Sequence, residues 1–263
     1  MRKTAATPIG YEKKDTNMKT ASVTGSGRQR QVRFSVPVAG NRKLVVILAT
    51  DLSGSMSQHG KIEAVNYAMA SSLRQIEKIA KGKEVVDVEA LVIGFGAAAE
   101  VVLGPASIES ISWQKLSANQ PDTLAGPAID LMIDRLDAVM SGRRGLPPVL
   151  ALVSDGLARD KTHWQAAVTR LSSSKWGQAA IRVGVGISGV GGECDLELLT
   201  AFIGNPERPP LVASDAAQLG DFIEWSINSS FNQSLGNGPD APLQFPNLPS
   251  LPFEDDDDEE DDA

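Results

Sequence analysis

Six consecutive apolar residues, Leu44–Ala49, run straight into Thr50 and Asp51. A run that is rich in Val and Ile on both alternations has no polar face to give to water. It fits a central strand covered on both sides, as in a parallel sheet. Pro148–Ser154 has the same character, and Ala180–Ile187 is a third such run. Val85–Phe95 alternates first and then turns wholly apolar, and Pro210–Ala213 is a last short strand. Glu100–Leu103 is expected to fold back on the second strand through Gly96–Ala99 as a short antiparallel edge.

Between the strands lie helical patterns. Ile62, Val65, Met69, Leu73, Ile76 and Ala80 recur at intervals of three and four and define one apolar helix face. Ala128, Leu131, Met132, Leu136 and Val139 mark a second helix, and Trp164, Val168 and Leu171 a third. Leu196–Ile203 is a short helix, and Leu219, Phe222, Ile223, Ile227 and Phe231 a closing one. Strands alternating with helices predict a doubly wound α/β fold, a mostly parallel sheet with helices on both faces. In such sheets a ligand sits beyond the carboxyl ends of the central strands.

The rest of the chain is organised around that domain, expected over residues 32–235. Residues 1–31 are polar and carry seven Lys/Arg against two acids, a basic arm expected to be disordered. Residues 236–263 are a Pro-rich linker followed by nine consecutive acids, Glu254–Asp262. That acidic run accounts for the net charge of −8; the remaining residues sum to about +1. The domain has no basic excess, so nucleic acid is not an expected partner. No apolar run approaches the roughly 18 residues of a membrane span. The opening MRKTAATPIGYEKKD has no signal-peptide stretch, so a cytoplasmic protein is expected. One cysteine excludes an intrachain disulfide, and with only two histidines a Cys/His zinc site is excluded as well.

The first strand ends in Asp51-Leu52-Ser53-Gly54-Ser55. Alternate residues of an extended segment point the same way, so one carboxylate and two hydroxyls can converge. The third long strand also ends in a carboxylate, Asp155, and Asp122-Thr123 stands before a helix. Two carboxylates with hydroxyl oxygens suit a hard cation that retains water, Mg²⁺ first, with Mn²⁺ or Ca²⁺ also accommodated. Each residue alone has a plain alternative: Asp51, Ser53 or Asp155 as a helix cap.

This order of residues resembles the von Willebrand factor A (vWA) family and its metal-ion-dependent adhesion site, Asp-x-Ser-x-Ser, a distant Thr and a distant Asp. Asp51, Ser53 and Ser55 match the first element, Thr123 the second and Asp155 the third. More narrowly, LVVILATDLSGSMSQHGKIEAVNYAM, VIGFGAAAEVVL, TLAGPAIDLM, LALVSDG, RVGVGISG and FIEWSI resemble bacterial TerY-type proteins, associated with tellurium resistance and stress. Three positions depart from the pattern: Asp122 where Gly is usual, Ser154 where Thr is usual, and Thr50 where Asp is common. The resemblance implies a non-enzymatic module. Ser53 and Ser55 would bind Mg²⁺ directly, Thr123 directly or through water, and Asp51 and Asp155 through coordinating waters. A Glu or Asp carboxylate of a partner protein would fill the open position; a protein kinase and a metal-dependent phosphatase are the implied partners. Asp122 would add a carboxylate that opposes an acidic partner. The alternatives are a Mg²⁺-dependent phosphohydrolase, for which no convincing base is seen, and a scaffold acting through its tails.

Other patterns fail on spacing. Gly54–Lys61 has five residues between its glycines where a phosphate loop needs four, and Ile62 replaces the Ser or Thr that would meet Mg²⁺. Gly184-x-Gly186-x-x-Gly189 is followed by Gly191-Gly192 rather than a helix start. His163 is expected on a polar helix face, simply exposed. Cys194 is expected to be an incidental thiol, and Trp164, Trp176 and Trp225 to serve as core.

Overall fold

The computed structural model describes residues 42–81, 86–142, 145–155, 158–187 and 195–213, with 218, 221 and 225. The arm 1–31, the linker and acidic tail, Cys194 and nearly all of the expected closing helix lie outside the described residues. Of that last helix, Gln218, Asp221 and Trp225 are described, each helical.

Six strands form one sheet: β1 (Arg42–Asp51), β2 (Val86–Phe95), β3 (Ala99–Ser107), β4 (Val149–Ser154), β5 (Ile181–Ile187) and β6 (Leu211–Ala213), in the order β3-β2-β1-β4-β5-β6. All neighbours are parallel except β2 and β3. The expected mostly parallel α/β sheet with one antiparallel edge is therefore observed. The edge strand is nine residues long instead of four. Gly104-Pro105 interrupts its pattern, and register irregularities between Ala90 and Ile93 let it stay paired as far as Ser107.

β1 is buried from Lys43 to Asp51 because its two alternations face different helix layers. Leu44, Val46 and Leu48 pack with Val65, Met69 and Ile76 of α1 (Lys61–Lys81). Val45, Ile47 and Ala49 pack on the other side with Ile129, Met132 and Leu136 of α2 (Gly126–Met140), Trp164 of α3 (Lys161–Ser173) and Phe202 of α5 (Leu196–Ile203). The third helical pattern is α3, and a short further helix, not expected from the sequence, follows it. Ser174 ends α3 and its hydroxyl accepts a 3.0 Å bond from Gly177 N, capping α4 (Lys175–Ala179).

The order of strands places the site. The chain runs outward from β1 through β2 to the edge at β3, then returns to β4 on the other flank of β1. The connections diverge between β1 and β4, so their carboxyl ends leave a crevice uncovered by a crossover. Asp51 ends β1 there, and Asp155 directly follows β4.

Candidate metal centre

At the end of β1 the chain turns under several backbone bonds. Leu52 N donates to Phe95 O at 2.7 Å, and Ser53 forms an isolated parallel bridge with Gln120. Asp51 Oδ1 accepts from Ser53 N at 2.8 Å, the two-residue carboxylate turn that Asp makes readily. A 3₁₀ turn follows over Gly54–Ser57, and its apolar member Met56 is fully buried, pinning the turn to the core. The Ser53 and Ser55 hydroxyls are thereby brought to 3.0 Å from one another.

The two carboxylates stand behind these hydroxyls, each with both oxygens engaged. Ser55 Oγ donates to Asp155 Oδ1 at 3.0 Å, and Lys61 Nζ lies 2.5 Å from Asp155 Oδ2. Besides Ser53 N on Oδ1, Asp51 takes Ser154 Oγ on Oδ2 at 2.8 Å. Ser154, which departs from the vWA pattern only in lacking a methyl group, thus supplies the hydroxyl that orients Asp51. Burial pushes the Asp51 carboxyl above its ordinary 3.8, against the hydrogen bonds from Ser53 and Ser154, and the charge of Asp155 adds to the rise. Neither carboxylate caps a helix, so the plain alternative fails for both; Ser53 precedes the 3₁₀ turn but makes no side-chain cap bond.

Thr123 comes from a loop held on three sides. Gln120 exchanges backbone bonds with Leu52 O and Gly54 N at 3.0 Å each. Leu124 N donates to Gly96 O, and Arg159 N to Thr123 O. Asp122 has φ +69, the left-handed conformation that costs an L-residue about 1 kcal/mol or more and none for Gly. That explains why Gly is usual at this place and why Asp, which tolerates the region better than most, can replace it. The Asp122 carboxylate faces Arg159 Nη1 at 3.2 Å, both side chains well exposed, so its charge is answered at the rim. Thr123 does not cap the next helix. The amides of Ala125 and Gly126 at the start of α2 instead donate to Asp160, at 3.1 and 2.9 Å.

Ser53, Ser55 and Thr123 line one cavity of about 280 Å³, together with Gly54, Gln120, Pro121, Asp122 and Arg159. All five expected site residues are therefore brought together: three hydroxyl bearers at the cavity wall, two carboxylates bonded to the serines or their backbone. Among the described residues there is no cluster of three or more His, Cys, Asp or Glu side chains that could hold a metal ion. The donors offered here are neutral hydroxyls backed by two carboxylates, a hard-oxygen set that fits a cation of the Mg²⁺ type.

Four residues at or near the site were not expected there. Lys61 enters the sequence only as the end of the failed phosphate-loop pattern, and Arg159, Asp160 and Asn66 carry no motif of their own. Asn66 sits on α1 and clamps the segment before Gln120 through Leu116 and Trp113. A polar residue interrupting an apolar helix face was the one available signal, since Asn66 is buried with Ile62 and Val65. His163 is exposed, as expected, and it also makes contacts: its Nε2 lies 2.8 Å from Asp130 Oδ2 and its Nδ1 3.7 Å from Asp160 Oδ2, linking α2 to α3. Trp164 is buried as expected, while Trp176 and Trp225 are partly buried against the two cores.

No protein-family model and no curated protein matches the sequence. Solved structures do. A von Willebrand factor type A protein from Catenulispora acidiphila matches with a TM-score of 0.53 at 16% identity, over 73% of this chain and 43% of that one. The pilus adhesin SpaC of Lactobacillus rhamnosus GG matches with a TM-score of 0.55 at 15% identity, over 73% of this chain and 30% of that one. The chain thus spans less than half the length of these solved proteins. At such identities the likeness establishes a vWA fold and nothing finer.

Proposed function

We propose that this chain is a non-enzymatic binding module that captures an acidic residue of a partner protein through a divalent cation, Mg²⁺ first, held at Asp51, Ser53, Ser55, Thr123 and Asp155. The observation that carries the reading is the pairing of Ser53 Oγ and Ser55 Oγ at 3.0 Å, at the wall of a cavity that Thr123 also lines. Ser53, Ser55 and Thr123 offer neutral oxygens to the cation. Asp51 and Asp155, whose oxygens already receive protein hydrogen bonds, act through water and fix the serines in place. Mostly neutral direct ligands leave a bound cation electron-poor, which is the chemistry that draws in a carboxylate. By family resemblance, a protein kinase and a metal-dependent phosphatase are the partners to examine, and a bacterial stress or signalling complex the setting. No helix among the described residues is long and apolar enough to cross a membrane.

The test is a calorimetric Mg²⁺ titration of the wild type and a Ser53→Ala/Ser55→Ala double variant. Saturable binding lost in the variant is the expected result, followed by partner capture that a chelator abolishes. Equal binding by both proteins, or none by the wild type with Mg²⁺, Mn²⁺ or Ca²⁺, overturns the reading.

A further inference from the structure

Lys61 occupies a place that helix chemistry does not explain. It is the first residue of α1, where the positive end of the helix dipole disfavours a cation. It is also buried, with its side chain 8% exposed, and its ammonium lies 2.5 Å from an Asp155 side chain that is 1% exposed. An exposed lysine at a helix start would point into water. This one is turned inward across 94 residues of sequence to meet the carboxylate that also receives Ser55.

We infer that Lys61 is a built-in counter-cation of the site, which weakens its hold on a divalent ion and makes the loaded site demand an anionic ligand. The inference rests on the metal-binding reading above. Asp51, Asp155 and Lys61 together carry one net negative charge when both carboxyls are ionised. A divalent ion turns that sum to one positive charge, which an incoming carboxylate cancels. With a neutral side chain at position 61 the loaded site would already be neutral, and water would serve as well as a carboxylate at the open position. The ammonium would also share Asp155 with the ion: Oδ2 faces Lys61, while Oδ1 faces Ser55, a proposed ligand, so the carboxylate would reach the ion through water on that side. Two cations held beside one buried carboxylate repel one another. Without an ion, the same ammonium keeps a buried carboxylate paired, so the fold does not depend on the metal.

The test compares the full chain with Lys61→Met and Lys61→Arg. Each is titrated with Mg²⁺ and Mn²⁺ by calorimetry and melted in chelator and in saturating Mg²⁺. Lys61→Met is expected to bind the ion at least about tenfold more tightly than wild type, and Lys61→Arg, which keeps the charge, within about threefold of it. In chelator Lys61→Met melts below wild type, and Mg²⁺ raises its melting temperature by more than it raises that of wild type. A purely structural role for Lys61 would lower the melting temperature equally with and without the ion. Should Lys61→Met not fold in chelator, Lys61→Gln carries the same expectation while keeping a donor for Asp155. If wild type binds the ion and the neutral variants bind it no more tightly, the inference falls and the metal site stands. If neither wild type nor any variant binds an ion, the metal reading falls and takes this one with it.

Discussion

Asn66→Asp changes one atom and is expected to unfold the protein more readily than its size suggests. The residue is 7% exposed. Its Nδ2 donates to Ile62 O at 2.8 Å and to Leu116 O at 2.9 Å, while Oδ1 accepts from Leu116 N at 2.7 Å and Trp113 Nε1 at 3.2 Å. A carboxylate keeps the two acceptor roles and loses both donor roles. It also sets a charged oxygen against two carbonyl oxygens. Two lost bonds at about 1 kcal/mol each, plus the cost of a buried charge facing like dipoles, come to about 2–4 kcal/mol. For a domain of this size that is a fall of roughly 5–15 °C in melting temperature. Urea unfolding at neutral pH, followed by circular dichroism, measures it. Asn66→Ala, which leaves the Leu116 and Trp113 groups for water to reach, is expected to cost no more than the Asp variant. Residues 111–119 have no helix or strand of their own and lead directly into Gln120, which pairs with Ser53. Both variants should therefore also weaken Mg²⁺ binding. An Asp variant within about 0.5 kcal/mol of wild type would refute the argument that this one amide anchors the loop.

Two further outcomes concern acids that sequence motifs treat alike. Asp160→Ala leaves the Ala125 and Gly126 amides without their acceptor and should cost about 1–2 kcal/mol in urea unfolding, with faster hydrogen exchange confined to the start of α2; unchanged exchange there would count against the cap. Asp51→Asn should abolish Mg²⁺ binding yet raise stability in chelator at neutral pH, because burial holds the native carboxyl above its ordinary 3.8. The folded state binds that proton more tightly than the unfolded chain, so the stabilisation from protonated Asp51 is complete below 3.8 and lost as pH rises through the raised native value. The advantage of the Asn variant should accordingly shrink on acidification and disappear below the ordinary carboxyl range; an advantage that grows toward acid would contradict the sign.

What could be read before folding was whatever the chain writes locally. Leu44–Ala49 is apolar on both alternations because both faces of β1 are covered, and this alone anchors the strand-end position of Asp51. Ser53 and Ser55 follow at a spacing that the turn at Met56 preserves. Thr123 and Asp155 were legible through the family pattern and the strand-end position of Asp155. Contacts between distant segments were not. Nothing near Lys61 announces that its ammonium meets Asp155, and nothing near Asp160 announces that it caps a helix beginning 34 residues earlier. The left-handed backbone at Asp122 was hidden because Asp, unlike Gly, does not advertise it. Gly104-Pro105 reads locally as a strand end, and only pairing with β2 carries β3 on to Ser107.

The divergence of connections between β1 and β4 also sets when the site comes into being. Ser53 and Ser55 leave the ribosome about a hundred residues before Asp155, the acid that receives the Ser55 hydroxyl, and Lys61 precedes its partner by 94. β1 and β2 can pair as soon as β2 is made, but the crevice has only one wall until β4 is laid against β1. Closing so long a loop is entropically costly and slow compared with the local hairpin of β2 and β3. The proposed affinity for a cation would thus be a late property of the growing chain. A nascent chain halted before residue 155 would carry the whole Asp-x-Ser-x-Ser segment and still lack the site.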